Sequence, residues 1–560
     1  MPTVAETIAA TLTAYGIDRF FCVTGGDQPL WIALHDAGIK IVNCRSEASA
    51  TYMADGYARV TGRPTFVYGQ FGPGVANVAA ALAEPYWANS PVISLTSSRA
   101  PSWQYLYAYQ ELDQLPMHEP VTRWNATLPD PARTADLLRQ AIRHAVGGLP
   151  GPVHLEVPTS MFGADAGNEP VFADDAFSKT PGPLPGPPPG TASAVVDAIA
   201  SAKRPVVLAG TGTLLSGAWR EVTALAEALD LPVATSVGGK GAIAEDHPRS
   251  IGVVGRYSRT VSNQLLNEAD LVLVLGSRLG TLVSDSGSLP PRSARIVHID
   301  IDPHVFAAAS GTTLRVVSDV RLALLAVLAE IEQRATLPRL TDWAADAQRK
   351  VRAWQDRLSQ VDSTSERGIH PAAVMANLRT ALASDDLVFA DTGNMAAWAS
   401  ALYPVITGGR TFHRAVGSLG WAFAAAMGGV MAAPQRRVAC VIGDGGFGYH
   451  IGDIETALRH DLPLVVVLLN NVSLAFEYQS QSHKYGGRVV DEANDFLDVN
   501  YAAVASAYGA NGQRITDQKE LPDAFADALA ADRLTILEVM TDKEAIAPST
   551  VFDGLVRGRF

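Results

Sequence analysis

Short apolar runs rich in Val, Ile and Leu alternate with Ala- and Leu-rich stretches of helical spacing along most of the chain. That alternation predicts βαβ units and parallel sheets. The opening "MPTVAETIAATLTAYG" reads as an amphipathic helix. In the first block "RFFCVTGG", "IKIVNCRSE" and "PTFVYGQFGPG" read as strands, with "ASATYMADGYARVTG" as a helix between the last two. A middle block offers "RPVVLAGTG", "LPVATSV", "LVLVLGSRLG" and "RIVHIDIDP" as strands. A third offers "LVFADTGN", "RVACVIGDGGFG", "LPLVVVLLNN" and "LTILEVM".

Two breaks interrupt the rhythm. Residues 171–190 end in "PGPLPGPPPG", which can be neither helix nor central strand and reads as an extended linker. Residues 336–366 are polar and read as a linker helix followed by a loop. The expected fold class is therefore α/β: three open parallel-sheet domains over 1–170, 191–335 and 367–560.

Composition narrows the partners. The 560 residues carry a formal net charge of -13, which argues against nonspecific nucleic-acid binding. No apolar run of about 18 residues or more predicts a membrane span, and no signal peptide is expected. Cys22, Cys44 and Cys440 are scattered in apolar contexts, as buried thiols of a reducing compartment would be. These features together predict a cytoplasmic enzyme.

The hexapeptide "GDGGFG", Gly443 to Gly448, carries the first chemistry. It matches G-x-G-x-x-G, yet Asp444 would repel a bare pyrophosphate. The following strand ends in Asn470-Asn471, where a dinucleotide site needs a carboxylate for the ribose. Amide oxygens suit a hard metal ion instead. Asp444 and Asn471 would stand at the ends of successive strands, and a Mg²⁺ between them would keep positions free for phosphate oxygens. Gly445 and Gly446 would let the backbone approach the phosphates, helped by the positive end of the following helix.

GDG, 24 residues, then NN resembles the signature of the thiamine diphosphate (ThDP) enzymes. The resemblance implies that Asp444, Asn471 and the carbonyl of Ser473 bind Mg²⁺, which anchors the diphosphate. "CRSEASATYMADGYARVTGRP" resembles the same family's N-terminal segment and implies that Glu47 hydrogen-bonds the aminopyrimidine N1′. Pro73 and Asn77 in "GQFGPGVAN" would lie along the cofactor, as would Thr24 and Asn394. Gln110 in "YQELDQ" would face the reacting centre. In "AVGSLGWAFAAAMGG", the Gly417 carbonyl and Leu419 amide would grip the aminopyrimidine, and Leu419 would bend the cofactor. The similarity covers nearly the whole chain and is closest to the acetolactate-synthase-like branch. It implies a homodimer or homotetramer, with Glu47 and the GDG loop meeting across a subunit interface.

The family adds a C2 carbanion to a carbonyl, usually of a 2-oxo acid, and leaves a C2-bound enamine. What the enamine meets defines the enzyme. Gln479-Ser480 replaces the Gln-Trp pair of acetolactate synthases, Thr24 stands where Pro is usual, and "DTGNMAA" replaces a Gln-His. "GVVGRYSRTVSN" departs from the flavin-binding pattern, which counts against FAD and against acetolactate as product. Glu477 stands where pyruvate-decarboxylase-type enzymes carry an acid, and burial would raise its pKa for that task. Asp27 and His118 are expected on the substrate side. A carboligase or lyase is the first expectation. A nonoxidative 2-oxo acid decarboxylase is the second, ahead of a 2-hydroxyacyl-CoA lyase or a catalytically silent ThDP-fold protein.

Overall fold

A computed structural model describes residues 1–307, 311–359 and 367–549. Three six-stranded, wholly parallel sheets follow one another along the chain. The first contains β1 (Arg19–Cys22), β2 (Lys40–Asn43), β3 (Thr65–Gly69), β4 (Val92–Ser98), β5 (Asn125–Thr127) and β6 (Val153–Pro158), in the order β2-β1-β3-β4-β6-β5. The central sheet contains β7 (Pro205–Ala209), β8 (Val233–Thr235), β9 (Ser250–Val253), β10 (Leu271–Leu275), β11 (Arg295–Asp300) and β12 (Thr312–Val317). Its order is β12-β11-β10-β7-β8-β9. The third contains β13 (Leu387–Ala390), β14 (Phe412–Arg414), β15 (Val438–Gly443), β16 (Leu464–Asn470), β17 (Asn511–Ile515) and β18 (Thr535–Met540), in the order β14-β13-β15-β16-β18-β17.

Helices cover both faces of parallel sheets, so inner strands lose their polar alternation. β3, β4, β10 and β16 are buried at every position. The first and third sheets share one strand order, a structural repeat with no matching repeat in the sequence.

The repeat places two helices in equivalent positions, and they pack on each other. Glu47–Thr61 starts at Ser46, whose hydroxyl accepts from Ser49 N, and ends at Gly62 in the left-handed region, φ 71°. Trp421–Ala432 is apolar all round and buried at nearly every position, as a helix between two domains must be. A Cβ on Gly56 would collide with the Ala425 carbonyl, and one on Gly428 with the Met53 carbonyl. Both glycines let the backbones touch.

The segment expected to be a linker helix spans Thr341–Ser359 and belongs to the central domain. Its Trp343, Ala347, Val351 and Trp354 pack into that domain's core. The loop expected after it falls partly on 360–366, outside the described residues.

A buried triad locks the central and third domains together. Lys240 and Arg259 both donate to the Glu245 carboxylate. Lys240 also donates to Ser400 O at 3.2 Å and Arg259 to Ala401 O at 3.0 Å. Two buried cations thus share one anion, and removing it leaves both uncompensated. Glu245→Gln should cost about 3–5 kcal/mol, a melting-temperature drop of roughly 6–20 °C by calorimetry. An unchanged melt would show that the triad is not the lock.

A second buried cluster sits beside β6. His118 stacks on His154 with centroids 3.6 Å apart, and Thr96 Oγ1 and Asn125 Oδ1 hold the His154 nitrogens at 2.7 and 2.6 Å. Burial pushes His118 down to about 4 and His154 well below its usual value. A depressed histidine pKa means the unfolded chain takes up protons first as pH falls, so stability declines from about pH 6.5 towards 4. Asp391 and Asp444 act in the opposite sense, because burial raises both to about 7. The test is therefore a difference: His118→Phe should flatten the acid side of the stability curve by about 1.4 kcal/mol per pH unit. Parallel curves for the two proteins would refute it.

Candidate active site

β15 and β16 are hydrogen-bonded neighbours paired from Val438 with Leu464 to Gly443 with Leu469. This register sets Asp444 and Asn471 just beyond the carboxyl ends of adjacent strands. Asp444 is 3 % exposed. Burial raises its carboxyl to about 7, while the backbone amides of Gly445, Val472 and Ser473 pull it back. A buried acid ringed by amides, with no cationic side chain setting its charge, suits a metal ion.

The Asn471 turn is strained. Val472 has φ 59°, a left-handed conformation that a β-branched residue adopts only when its surroundings enforce it. Val472 N donates to Asn470 Oδ1 at 3.0 Å and Ser473 N to Asn471 Oδ1 at 3.1 Å. Phe496 N donates to Val472 O at 2.8 Å. Asn470 is itself held by the buried Glu538 at 2.7 Å. No group of three or more His, Cys, Asp or Glu capable of holding a metal occurs among the described residues. A site of one carboxylate, one amide and one carbonyl is of a different kind, and Asp444, Asn471 and Ser473 fit it.

The glycines after Asp444 are hemmed in by protein on their Cβ side. Asp444–Gly448 is a single short helical turn, too short for a large dipole. A Cβ on Gly446 would strike Asp391 Oδ2, and one on Gly445 would lie 2.8 Å from Leu474. Their smallness admits protein neighbours. Asp391, fully buried at the end of β13, accepts from Gly420 N at 2.8 Å and Ala422 N at 3.1 Å. It fixes the loop that carries Gly417 and Leu419.

Glu84 holds the same loop from the first domain. Its carboxylate accepts from Val416, Gly417 and Ser418 N at 2.6, 3.1 and 3.1 Å. Arg59 joins it at 3.0 Å and also pairs with Asp55. A matching contact lies at the other end of the paired domains. Asp453 accepts from Arg45 N at 2.9 Å and Ser49 Oγ at 2.5 Å, which fixes the start of the Glu47 helix. Sequence reasoning missed Asp391, Glu84 and Glu538. Glu538 had a signal, a lone carboxylate inside the apolar strand "LTILEVM".

In the first domain Asn77 Nδ2 donates to Glu47 Oε2 at 3.0 Å. A Cβ on Gly74 would come within 3.0 Å of Glu47 Oε1, so this glycine leaves the second oxygen uncovered. Pro73 opens the helix that carries Asn77, and both are exposed. Thr24 is exposed, its N–H on Asn43 Oδ1 at 3.1 Å. Gln110 has φ 61° and packs its backbone against Gly72.

The other expected residues sit as follows. Asp27 is buried and takes the Tyr68 hydroxyl. His118 is fully buried in its stack. Glu477 is exposed. Asn394 donates to Gln479 Oε1 at 3.0 Å, and Gln479 Nε2 donates to Lys543 O and Ala545 O at 2.7 and 2.9 Å. Gln479 thereby ties down the segment after β18. The three cysteines are free and buried. No helix among the described residues is long and apolar enough to cross a membrane.

Comparison with known proteins agrees with this fold. Residues 2–117 match the thiamine pyrophosphate enzyme N-terminal TPP binding domain, 192–328 the central domain and 391–539 the C-terminal TPP binding domain. A sulfoacetaldehyde acetyltransferase of Castellaniella defragrans is 31% identical over 97% of this chain and 94% of its own. The acetolactate synthase isozyme 3 large subunit of Escherichia coli (strain K12) is 29% identical over 98% and 97%. A probable acetolactate synthase large subunit of Methanococcus aeolicus is 28% identical over 96% and 92%. The chain is an enzyme of the thiamine diphosphate-dependent family, on its acetolactate-synthase-like branch.

Proposed function

We propose that the protein is a ThDP- and Mg²⁺-dependent carboligase or lyase that makes or breaks a carbon–carbon bond next to a carbonyl, with a 2-oxo acid as donor. The observation that carries this reading is the pairing of two prepared surfaces. One is Glu47 with an oxygen fixed by Asn77; the other is Asp444 and Asn471 at adjacent strand ends.

On this reading Asp444, Asn471 and the Ser473 carbonyl hold Mg²⁺, and the metal neutralises the buried carboxylate. Bound ThDP supplies a nucleophilic carbon that adds to a carbonyl and stabilises the charge left when the neighbouring bond breaks. Glu47 holds a proton at the aminopyrimidine N1′. The Gly417 carbonyl and Leu419 amide orient that ring, on a loop held by Glu84 and Asp391. Glu477 handles a proton of the product once the site is covered.

Cover comes from a second copy of the chain. Thr24, Pro73, Asn77 and Gly417 are all exposed in one copy. Around Gln110, Tyr105 is 92 % and Tyr107 100 % exposed, with Trp103, Leu106 and Tyr109 beside them. An apolar patch of that kind marks an interface. Dimer or tetramer is the expected assembly.

Product analysis with ThDP and Mg²⁺ tests the reaction. Pyruvate, other 2-oxo acids, 2-hydroxyacyl-CoAs and sulfoacetaldehyde should each be offered with and without an aldehyde acceptor. A coupled hydroxyketone supports carboligation. Free aldehyde alone, whatever the acceptor, would leave the nonoxidative decarboxylase as the reading.

A further inference from the structure

The strands of the first sheet aim one set of loops at a single crevice. Thr24 follows β1, Glu47 follows β2, and Phe71, Gly72 and Pro73 follow β3. β4 pairs with β3 from Thr65 with Val92 to Gly69 with Thr96, and it ends at Ser98. Arg99 is the first residue beyond it, at the carboxyl end where an open α/β sheet takes its ligands. The chemistry proposed above gives Arg99 no task.

Arg99 is held in place without being charge-paired. Its guanidinium lies over the Phe71 ring at 4.0 Å and near the Trp103 ring at 6.0 Å. Nε donates to Tyr109 O at 2.8 Å, and Nη2 donates to the same carbonyl. Phe71 N donates to Ser97 Oγ at 3.1 Å, and a Cβ on Gly72 would lie 2.5 Å from Gln110 O. One knot therefore joins Arg99, the loop before Pro73, and Gln110. Tyr105, Tyr107 and Gln110 stand in the left-handed region at φ 65°, 54° and 61°. Such strain persists where the surroundings enforce it, and it clusters at ligand clamps.

The knot uses only one edge of the guanidinium. Nε and Nη2 serve Tyr109, and the outer fork, one N–H from each terminal nitrogen, has no acceptor among the described residues. No carboxylate of the described residues lies in ion-pair range of it. Glu111, the nearest acid in sequence, accepts instead from Tyr105 N at 2.9 Å and Ala108 N at 3.2 Å. A fixed fork backed by an aromatic ring matches a carboxylate, which takes both N–H groups at once. That carboxylate is not one that departs as CO₂. Pairing a departing carboxylate stabilises the ground state more than the transition state, in which its charge moves away, and so slows the step. A carboxylate that stays on the substrate carries no such penalty.

We propose that Arg99 is a specificity-determining residue, whose free fork receives the carboxylate of a carbonyl substrate that keeps this group through the reaction. The proposal rests on the carboligase or lyase reading, in which a second copy covers the loop and excludes the water that would weaken the pair.

Matched acceptors test it on the full chain with ThDP, Mg²⁺ and pyruvate: glyoxylate against acetaldehyde, and succinic semialdehyde against butanal. In at least one pair the acid should be preferred by about tenfold or more in kcat/KM. Arg99→Met keeps the apolar stem on Phe71 and loses the fork. It should lower the acid-to-neutral ratio by about tenfold or more, through KM for the acid. Arg99→Lys, which keeps the charge alone, should fall between. A merely structural role in holding Tyr109 would depress both members of a pair alike. That result, or a wild type with no preference for either acid, would overturn the proposal. Absence of turnover on every donor would tell against the carboligase or lyase reading and not against Arg99. Ligand-observed NMR titration with 4-hydroxybutanoate and 1-butanol then decides. Preference for the acid, abolished in Arg99→Met, upholds the site; equal or absent binding of the two overturns it.

Discussion

Glu47→Gln is expected to bind ThDP and Mg²⁺ with near-normal affinity and to lose about 10²–10⁴-fold in kcat. Glutamine keeps the length of the side chain, and its amide oxygen can still accept from Asn77 Nδ2, now 3.0 Å from Glu47 Oε2. What it lacks is a group that can hold and release a proton at the uncovered position, the one that Gly74 leaves open. Diphosphate anchoring lies on another domain, so affinity and turnover should separate. Calorimetry for the cofactor and initial rates on the active substrate are the two measurements. Wild-type turnover would remove Glu47 from the chemistry. Loss of binding in step with rate would make it a structural cap of the helix that begins there, since a carboxylate at a first turn also stabilises a helix.

What the sequence disclosed and what it hid follow from burial. Strands with unbroken apolar runs, such as β10 and β16, were readable because both faces are covered. β4 and β6 are just as central, yet their runs carry polar residues. His154 and Glu156 stand in β6, and each is satisfied inside the fold, His154 by Thr96 and Asn125, Glu156 by Gln114 and Thr127. Periodicity cannot see partners supplied from distant segments. The edge strands β5, β9, β14 and β17 are three to five residues long and carry no unbroken apolar run.

The candidate site divides in the same way. Asp444 and Asn471 were legible because, on the proposed reading, a metal with a diphosphate constrains residue type at a set spacing. Glu84 and Asp391 were not, because each acts on backbone amides that any sequence supplies. Gly446 was read as room for phosphate; an added Cβ there would also strike Asp391, a constraint the sequence did not show. The exposure of Glu477 marks a different limit: on the proposed reading its environment depends on a second copy that covers the helix Ala475–Lys484.

Asp444→Ala is expected to separate stability from function more sharply than any other change. In the cofactor-free chain the Asp444 carboxyl is buried, and burial raises it to about 7. Its folded pKa therefore lies above the unfolded value near 4, so the ionised group opposes folding above about pH 4, most fully above 7. Alanine removes that charge, and the small cavity it leaves costs little beside a turn already enforced by Asn470 and Phe496. The cofactor-free variant should melt at or a few degrees above the wild-type temperature at pH 8. The wild type should gain about 2.7 kcal/mol when ThDP and Mg²⁺ stand at a hundred times their Kd, and the variant should gain almost none. Scanning calorimetry at pH 8, with and without ThDP and Mg²⁺, reads both effects together. A variant that melts far below the wild type would show that Asp444 is structural. One that keeps the full cofactor-induced gain would show that the metal sits elsewhere, and the pairing of Asp444 with Asn471 would then lose its meaning.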